Sequence, residues 1–355
     1  MSLSVPLIHP LDQSAIQAAR ERQNQLTKPA GSLGRLEELS IQLAGITGKN
    51  ISTIKDKVII VMAGDHGVVA EGVSAYPQEV TPQMVLNFLA GGAAINVLAR
   101  QVGARVVVVD MGVANDIDAG RGGVTPPLLI QCRVASGAMN LAQGPAMTRE
   151  QAEESVQSGI EIALAEISKG ADILGTGDMG IGNTTPSAAI ACALMNASPE
   201  KIAGRGTGVD DDGLQRKISV IARALDVNKP NPKDGLDVLA KVGGFEIGGL
   251  AGVMIGAASK RVPVMVDGFI STAAALIAVT IAPQCKDYLI FAHRSKENGH
   301  ALMLEWLGVK PLLDLDLRLG EGTGAALGMS LAESACKILA EMATFGEAGV
   351  SQIVE

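Results

Sequence analysis

Aromatic residues are scarce in this chain of 355 residues, which has one Trp, two Tyr and five Phe. Proteins that bind single-stranded nucleic acid stack the bases on aromatic side chains, and proteins that bind duplexes present a basic surface. This chain has few aromatic side chains for stacking, and its formal net charge is −8. The composition therefore predicts a protein that does not bind nucleic acid.

Cysteine is also scarce, and its four copies lie far apart. Disulfide frameworks and zinc sites usually show closely spaced pairs such as Cys-x-x-Cys, which this sequence lacks. We therefore expect a reducing, cytoplasmic environment and no metal site. The N-terminus lacks the basic start and apolar run of a signal peptide. The longest apolar run, at residues 270–282, is too short to cross a bilayer, so no membrane association is expected.

Aliphatic residues and glycine, by contrast, are abundant. The apolar fraction is 47%, and glycine accounts for 42 residues, well above its usual share of about 7%. The apolar residues can fill a sizeable aliphatic core. Clustered glycines permit tight turns and a close approach of the backbone to a ligand.

Short β-branched runs alternate with longer helical patterns from Lys57 onward. This alternation predicts an α/β fold with a doubly wound, mostly parallel sheet and helices on both faces. In such a sheet, ligands bind beyond the carboxyl ends of the strands. The strands are predicted at residues 58–62, 106–110, 171–174, 262–266, 288–291 and 312–317.

Helix starts carry signals of their own. Thr-Pro at residues 81–82 and 185–186 places a capping hydroxyl before a proline, which predicts a helix that begins at the proline. Thr148 with Gln151 forms a capping box. The N-terminal segment is predicted to be helical, and a long Ala-rich helix is predicted over residues 323–344. We expect that helix to pack on the N-terminal helices as a small second domain.

The glycine cluster at residues 175–186 contains Gly-x-Gly-x-x-Gly. We reject a dinucleotide-binding fingerprint because the helix begins several residues after the glycines, and no strand with a terminal acid follows closely. Two interpretations stay open. The segment is either an ordinary long loop or a phosphate site formed by backbone N–H groups, a helix N-terminus and the side chains of Asn183 and Thr184.

Three further clusters contain polar residues beside glycine. Glycines at residues 204–213 precede Lys217, which suits either a phosphate or a surface loop, and the acidic run 210–212 is interpreted as solvated. Glu321 stands between glycines before the long helix, either as a catalytic carboxylate or as a complement to the helix dipole. Asp65-His66 follows the first strand, where a structural histidine is expected rather than a metal ligand.

Seven ordered motifs span nearly the whole chain. They are KPAGSLGRLE at 28–37, GDHG at 64–67, GIGNTTP at 180–186, NPKDG at 231–235, KVGGF at 241–245, VDGF at 266–269 and RLGEG at 318–322. In these motifs the sequence resembles the nicotinate-nucleotide–dimethylbenzimidazole phosphoribosyltransferases. The resemblance implies transfer of a phosphoribosyl group from nicotinate mononucleotide to dimethylbenzimidazole, for the lower ligand of cobalamin, without a metal or other cofactor.

The same resemblance implies a homodimer that acts on small molecules, with a large domain of residues 55–325 and a small helical domain of residues 1–54 and 326–355. It implies Glu321 as the general base, and we expect Asp178, a second carboxylate, to position the substrate. The expected phosphate site comprises Gly180, Asn183, Thr184, Gly206, Lys217 and Ser295. The expected site for the incoming base comprises Tyr76, Met84, Met179 and Leu319.

This chain departs from some relatives at three of these positions. Some relatives carry Glu at position 178, where this chain has the shorter Asp, so the reach of that carboxylate differs. Some carry Ser and Gln at positions 76 and 84, so the base pocket is expected to be more apolar here. A transferase that uses phosphoribosyl pyrophosphate usually has two adjacent acids after an apolar strand, whereas here the strand ends in Asp110-Met111. A dehydrogenase is disfavoured by the broken fingerprint. A non-catalytic nucleotide-binding protein would not need Glu321.

Overall fold

The computed structural model of the protein describes residues 3–117 and 129–351. The strands are β1 (Lys57–Gly64), β2 (Ala104–Gly112), β3 (Leu129–Gln131), β4 (Ile173–Met179), β5 (Val264–Val266) and β6 (Leu289–Phe291). They form one sheet in the order β3-β2-β1-β4-β5-β6, and each neighbouring pair is parallel. This strand order is that of a doubly wound fold and confirms the predicted α/β class.

Helices cover both faces of the sheet. In chain order they are α1 (Gln13–Gln25), α2 (Arg35–Thr47), α3 (Val80–Leu89), α4 (Ala94–Val102), α5 (Arg149–Ser168), α6 (Thr184–Met195), α7 (Pro199–Ile202), α8 (Asp211–Asn228), α9 (Gly235–Val242), α10 (Phe245–Ser259), α11 (Phe269–Ile281), α12 (His300–Leu307), α13 (Thr323–Glu341) and α14 (Phe345–Ala348). Short 3-10 helices lie at Gly67–Glu71 and Pro283–Tyr288.

Strand β1 shows why the central strands are apolar throughout. Its alternate residues Val58, Ile60 and Met62 belong to the core on the face covered by α5, α10 and α11. The intervening Ile59 and Val61 belong to the core on the face covered by α4 and α13. Because both faces are buried, the strand is a continuous hydrophobic run rather than an alternating one.

The predicted strand at residues 312–317 is wrong. The segment runs extended beside β6 but makes only an isolated bridge, between Leu313 and His293. Asp316 has a left-handed φ of 55°, which interrupts an extended conformation, and its side chain is exposed. Strand β3, a three-residue strand at one edge of the sheet, was not predicted.

Two predicted helix starts are displaced. Helix α3 begins at Val80 and α6 at Thr184, so each Thr-Pro pair lies inside the first turn. The hydroxyl of Thr81 accepts the backbone N–H of Ile181 at 3.1 Å instead of capping its own helix. The capping box of Thr148 with Gln151 is confirmed at the start of α5.

Helices α1 and α2 pack against the far end of α13. Arg22 of α1 donates to the backbone carbonyl of Ala340 at 3.2 Å, and Leu26 bridges to Thr344. The near end of α13 instead packs on the sheet through residues such as Met329. We propose that α1, α2 and the C-terminal end of α13 form the small helical domain predicted at residues 1–54 and 326–355. Within those ranges the structure describes residues 3–54 and 326–351. The buried residues that these three helices share are Ala15, Ala19, Ala44 and Leu339.

The segment Val80–Val102 has the length and mean hydropathy, 1.3, of a helix that could cross a membrane. In the structure it is two helices, α3 and α4, which are separated by a turn at residues 90–93. Gly91 in that turn has a left-handed φ of 77° and ends the first helix.

Helices α5 and α10 approach each other so closely that glycine is required at their contact. A methyl group on Gly159 of α5 would collide with the carbonyl oxygen of Gly249 of α10. A methyl group on Gly252 of α10 would likewise collide with the carbonyl oxygen of Val156. Both conflicts involve backbone atoms, which cannot rotate away as a flexible side chain would.

We therefore expect Gly159→Ala to destabilise the protein by about 1–3 kcal/mol, the usual cost of overpacking. Thermal unfolding should show a Tm several degrees lower. The matched control is Gly144→Ala, because nothing lies within 4 Å of a methyl group there and the backbone is not left-handed. Equal melting temperatures for the two variants would contradict this account of the contact.

Candidate active site

A cavity of about 700 Å³ lies at the carboxyl ends of the strands, beside the switch point between β1 and β4. Most of the residues predicted for the site line it together. Lys217 lies directly behind this lining. The predicted residues in the wall are Tyr76, Met84, Asp178, Met179, Gly180, Asn183, Thr184, Gly206, Ser295, Leu319 and Glu321.

Glu321 sits in a sharp turn between the extended segment at 312–317 and α13. Three consecutive residues are left-handed, with φ of 84° at Gly320, 62° at Glu321 and 90° at Gly322. The turn lies flat against β4, because a methyl group on Gly177 would collide with the backbone of Glu321. The Glu321 side chain is nearly buried, and its Oε2 accepts the backbone N–H of Ile95 at 3.4 Å, in the first turn of α4.

Burial raises the pKa of Glu321 above its usual range. The Ile95 N–H acts in the opposite direction, and the negative charge of Asp267 adds to the rise. A helix N-terminus and burial act in opposite directions on the pKa of a carboxyl group, and here the effect of burial is the larger.

Asp178 is the last residue but one of β4 and is also nearly buried. Its Oδ2 accepts the side-chain amide of Asn183 at 2.9 Å. Burial raises the pKa of Asp178 well above its usual range, and the charges of Asp267 and Glu321 add to the rise. The environment thus favours the neutral acid at this position.

The opposite side of the cavity suits an anion. Lys217 is fully buried, and its Nζ donates to Thr184 Oγ1 at 2.6 Å and to the carbonyl of Gly204 at 3.2 Å. Burial lowers the pKa of Lys217 to about 8, against the attraction of Glu297. Helix α6 begins here without a side-chain cap. Of its first residues, Thr185 donates its N–H to Gly182 and residue 186 is a proline, so among the described residues the N–H of Thr184 is the one left for a ligand.

Glu297 was not predicted. It is nearly buried at the anion side, and its Oε1 accepts the backbone N–H of Gly206 at 3.0 Å. Its Oε2 is buried and has no hydrogen-bond partner within residues 3–117 and 129–351. The position carries no motif and no glycine flank, so the sequence alone had no signal for it.

Two buried histidines beside the cavity are paired with acids. His66 Nε2 lies 2.9 Å from Glu246 Oε1, and the structural role expected for that histidine stays a prediction. Burial lowers the pKa of His66, but the hydrogen bond and charge of Glu246, together with the charge of Asp65, raise it overall. His293 Nε2 lies 3.7 Å from Oδ1 of Asp267, a residue of the VDGF motif to which no role was assigned. Each pair joins different elements of the fold: Glu246 is the second residue of α10, whereas Asp267 and His293 follow β5 and β6.

The mouth of the cavity is apolar. Tyr76 and Leu319 are more than half exposed there, at 54% and 57%. Met84 and Met179 are partly buried behind them. Such side chains offer a flat or adaptable surface to a planar ligand.

The first glycines of the 175–186 cluster belong neither to a long loop nor to a phosphate site, the two interpretations that the sequence left open. Gly175 and Gly177 lie within β4 itself. They leave space for α13, because a methyl group on Gly175 would meet Met329 and Ala325. Only the residues from Gly180 onward form the loop that precedes α6.

A model of the phosphoribosyltransferase family matches residues 8–350. The chain belongs to this family. Among its relatives, the nicotinate-nucleotide–dimethylbenzimidazole phosphoribosyltransferase of Chloroflexus aggregans is 59% identical over 345 residues, which cover 97% of this chain and 96% of the relative. The protein of the same name from a Roseiflexus species is 60% identical over 355 residues, which cover 100% and 99%.

Solved structures of the family have the same fold. The crystal structure of CobT from Thermus thermophilus matches with a TM-score of 0.91 at 49% identity, covering 96% of this chain and 100% of the other. Membership of the phosphoribosyltransferase family makes the chain an enzyme, and the dehydrogenase and non-catalytic alternatives are therefore wrong.

The buried position of Lys217 predicts a pH-dependent interaction with the phosphoribosyl donor. A charge-assisted hydrogen bond to phosphate contributes about 1.5–3 kcal/mol, so Lys217→Ala should raise KM for the donor by roughly 10- to 100-fold. In the wild type, the same KM should rise as pH increases through about 8, where Lys217 loses its charge.

Steady-state kinetics from pH 6 to 9 would test this, with Lys201→Ala as the control because Lys201 is an exposed lysine close in the sequence. The control should keep the wild-type KM and its pH dependence. An unchanged KM in Lys217→Ala would remove Lys217 from the donor site.

Proposed function

We propose that the protein transfers the phosphoribosyl group of nicotinate mononucleotide to 5,6-dimethylbenzimidazole, giving α-ribazole 5′-phosphate and nicotinate for the lower ligand of cobalamin. The observation that carries the proposal is a single cavity with three chemically distinct parts. One part holds a buried cation and an uncapped helix start, one holds buried carboxyl groups, and the mouth is apolar. Relatives of nearly the same length carry the name of this activity.

The chemistry accounts for each part. The pyridinium nitrogen of nicotinate mononucleotide is positively charged, so breaking its bond to the ribose neutralises the leaving group. The incoming benzimidazole nitrogen forms its bond to the anomeric carbon from the opposite face, which inverts the configuration. The transition state has oxocarbenium character, as in glycoside cleavage. The remaining N–H proton of the benzimidazole passes to a carboxylate.

We assign that carboxylate to Glu321. It lines the cavity, and the N–H of Ile95 helps to retain its ionised form, which a base requires. Its raised pKa makes it a better proton acceptor than an ordinary glutamate. Asp178 tends toward the neutral acid and bonds to Asn183, so it suits the positioning of substrate.

The other residues divide between the two substrates. Tyr76, Met84, Met179 and Leu319 hold the benzimidazole by apolar contact. The phosphate is held by Gly180, Asn183, Thr184, Gly206, Lys217 and Ser295.

The homodimeric state implied by the resemblance belongs to the same proposal. So do the cytoplasmic location and the absence of nucleic-acid and membrane partners, which the composition predicts.

The reaction is tested by incubating the purified protein with both substrates in excess EDTA and analysing the products. We expect equimolar nicotinate and α-ribazole 5′-phosphate, since the leaving group needs no metal to stabilise it. A product of β configuration, or nicotinate release without the acceptor, would contradict the proposed displacement. Activity that disappears with EDTA and returns with magnesium would contradict the metal-free mechanism.

In the same assay, Glu321→Gln keeps the shape of the side chain and removes the base. Its kcat should fall by about 10²- to 10⁴-fold, the usual contribution of general-base catalysis, while donor affinity changes little. Glu321→Asp should recover part of the loss. If Glu321→Gln kept its turnover while Asp178→Asn lost it, the two carboxyl groups would have exchanged roles.

A further inference from the structure

Asp267 is a fully buried carboxyl group at the end of β5. It lies against the turn that carries Glu321, and the adjacent Gly268 lines the cavity. Its backbone N–H donates to Thr176 Oγ1 of β4 at 3.2 Å. The residue is therefore fixed between two strands of the sheet.

Helix α13 lacks a side-chain cap of its own. Its N-cap is Gly322, so the first N–H groups of the helix would be left without partners. Asp267 supplies the missing acceptor from the neighbouring strand. Its Oδ1 accepts the N–H of Ala325 at 3.0 Å, and its Oδ2 accepts the N–H of Gly322 at 3.2 Å.

The second of these bonds restrains Glu321 itself. The N–H of Gly322 belongs to the peptide plane that follows Glu321, so a fixed acceptor there fixes the orientation of that plane. Glu321 is a non-glycine residue with a φ of 62°, a conformation that persists only when its surroundings hold it. Its side chain in turn reaches the N–H of Ile95.

We propose that Asp267 is a positioning residue for Glu321: by capping α13 from β5, it holds the strained turn that aims the Glu321 carboxylate into the cavity. The proposal rests on the general-base role given to Glu321 above. Asp267 is not among the residues that line the cavity, so in this proposal it acts through the Glu321 carboxylate.

The test is a double-mutant cycle of Asp267→Asn with Glu321→Gln. Asparagine keeps the shape but has one acceptor oxygen instead of two, so one of the two N–H groups loses its partner. Because a displacement of about 1 Å can lower a rate by roughly 100-fold, kcat of Asp267→Asn should fall by roughly 10- to 100-fold, with KM for nicotinate mononucleotide nearly unchanged. The double variant should be about as slow as Glu321→Gln alone, because the two residues act as one unit.

Asp110→Asn is the matched control. Asp110 is a buried carboxyl group near the end of β2 whose Oδ1 alone accepts two backbone N–H groups, those of Gly112 at 3.0 Å and Val113 at 2.8 Å, so asparagine removes the charge there and can keep both bonds. Any loss of kcat that it causes should multiply with that of Glu321→Gln. A crystal structure of Asp267→Asn should further show the Glu321 carboxylate displaced from the N–H of Ile95.

Two results would separate this proposal from the proposed function. If Glu321→Gln is slow but the losses from Asp267→Asn and Glu321→Gln multiply, Asp267 acts independently and only the positioning role is overturned. If Glu321→Gln keeps its turnover, the base assignment fails and the positioning role fails with it. A higher KM for nicotinate mononucleotide with unchanged kcat in Asp267→Asn would also overturn the positioning role.

Should Asp267→Asn fail to fold, Thr176→Val provides a milder variant. It removes the acceptor of the Asp267 N–H and leaves the carboxylate intact. We expect kcat to fall by roughly threefold to tenfold, and this loss should disappear in the Glu321→Gln background. A loss that persists in that background would overturn the proposal.

Discussion

Burial of neighbouring carboxyl groups at the carboxyl ends of parallel strands is the constraint on which the rest of the structure depends. Asp178, Asp267 and Glu321 converge there, and each has a raised pKa because burial removes the water that would stabilise its charge. A buried polar group destabilises the fold unless it is hydrogen-bonded. The starts of α4 and α13 supply backbone N–H donors to Glu321 and Asp267. Gly177 and Gly322 have no side chain, which lets the turn at Glu321 pack closely against β4.

The same arrangement separates the two kinds of chemistry in the cavity. On the side of the cavity that suits an anion, Lys217 is buried and α6 starts without a side-chain cap. On the side with the carboxyl groups, backbone N–H groups at the start of α13 already donate to Asp267. Under the proposed function, the phosphate is therefore expected beside Lys217, where Glu297 is also present, and away from Asp178, Asp267 and Glu321. Under the same proposal, the acceptor base, which is uncharged and planar, is expected at the apolar mouth around Tyr76 and Leu319.

Much of this could be predicted from the sequence, because strand periodicity and glycine clusters are local signals. They identified β1, β2 and β4 and placed Glu321 before α13. What the sequence did not predict depends on contacts between distant segments. Glu297 meets Gly206 across 91 residues, and Asp267 meets Ala325 across 58. The strand predicted at 312–317 failed for a related reason, since local alternation cannot show that a left-handed residue interrupts the pairing.

The pH dependence of kcat tests the central claim most directly, that a buried Glu321 accepts the proton. A general base works only when ionised, so kcat should fall as pH decreases through the pKa of Glu321, at a pH above the usual range of glutamate. Asp178→Asn should retain this acidic limb in whatever activity remains. Glu321→Gln should lose it. The same acidic limb in Glu321→Gln as in the wild type would contradict the account, because another group would then be the one that titrates.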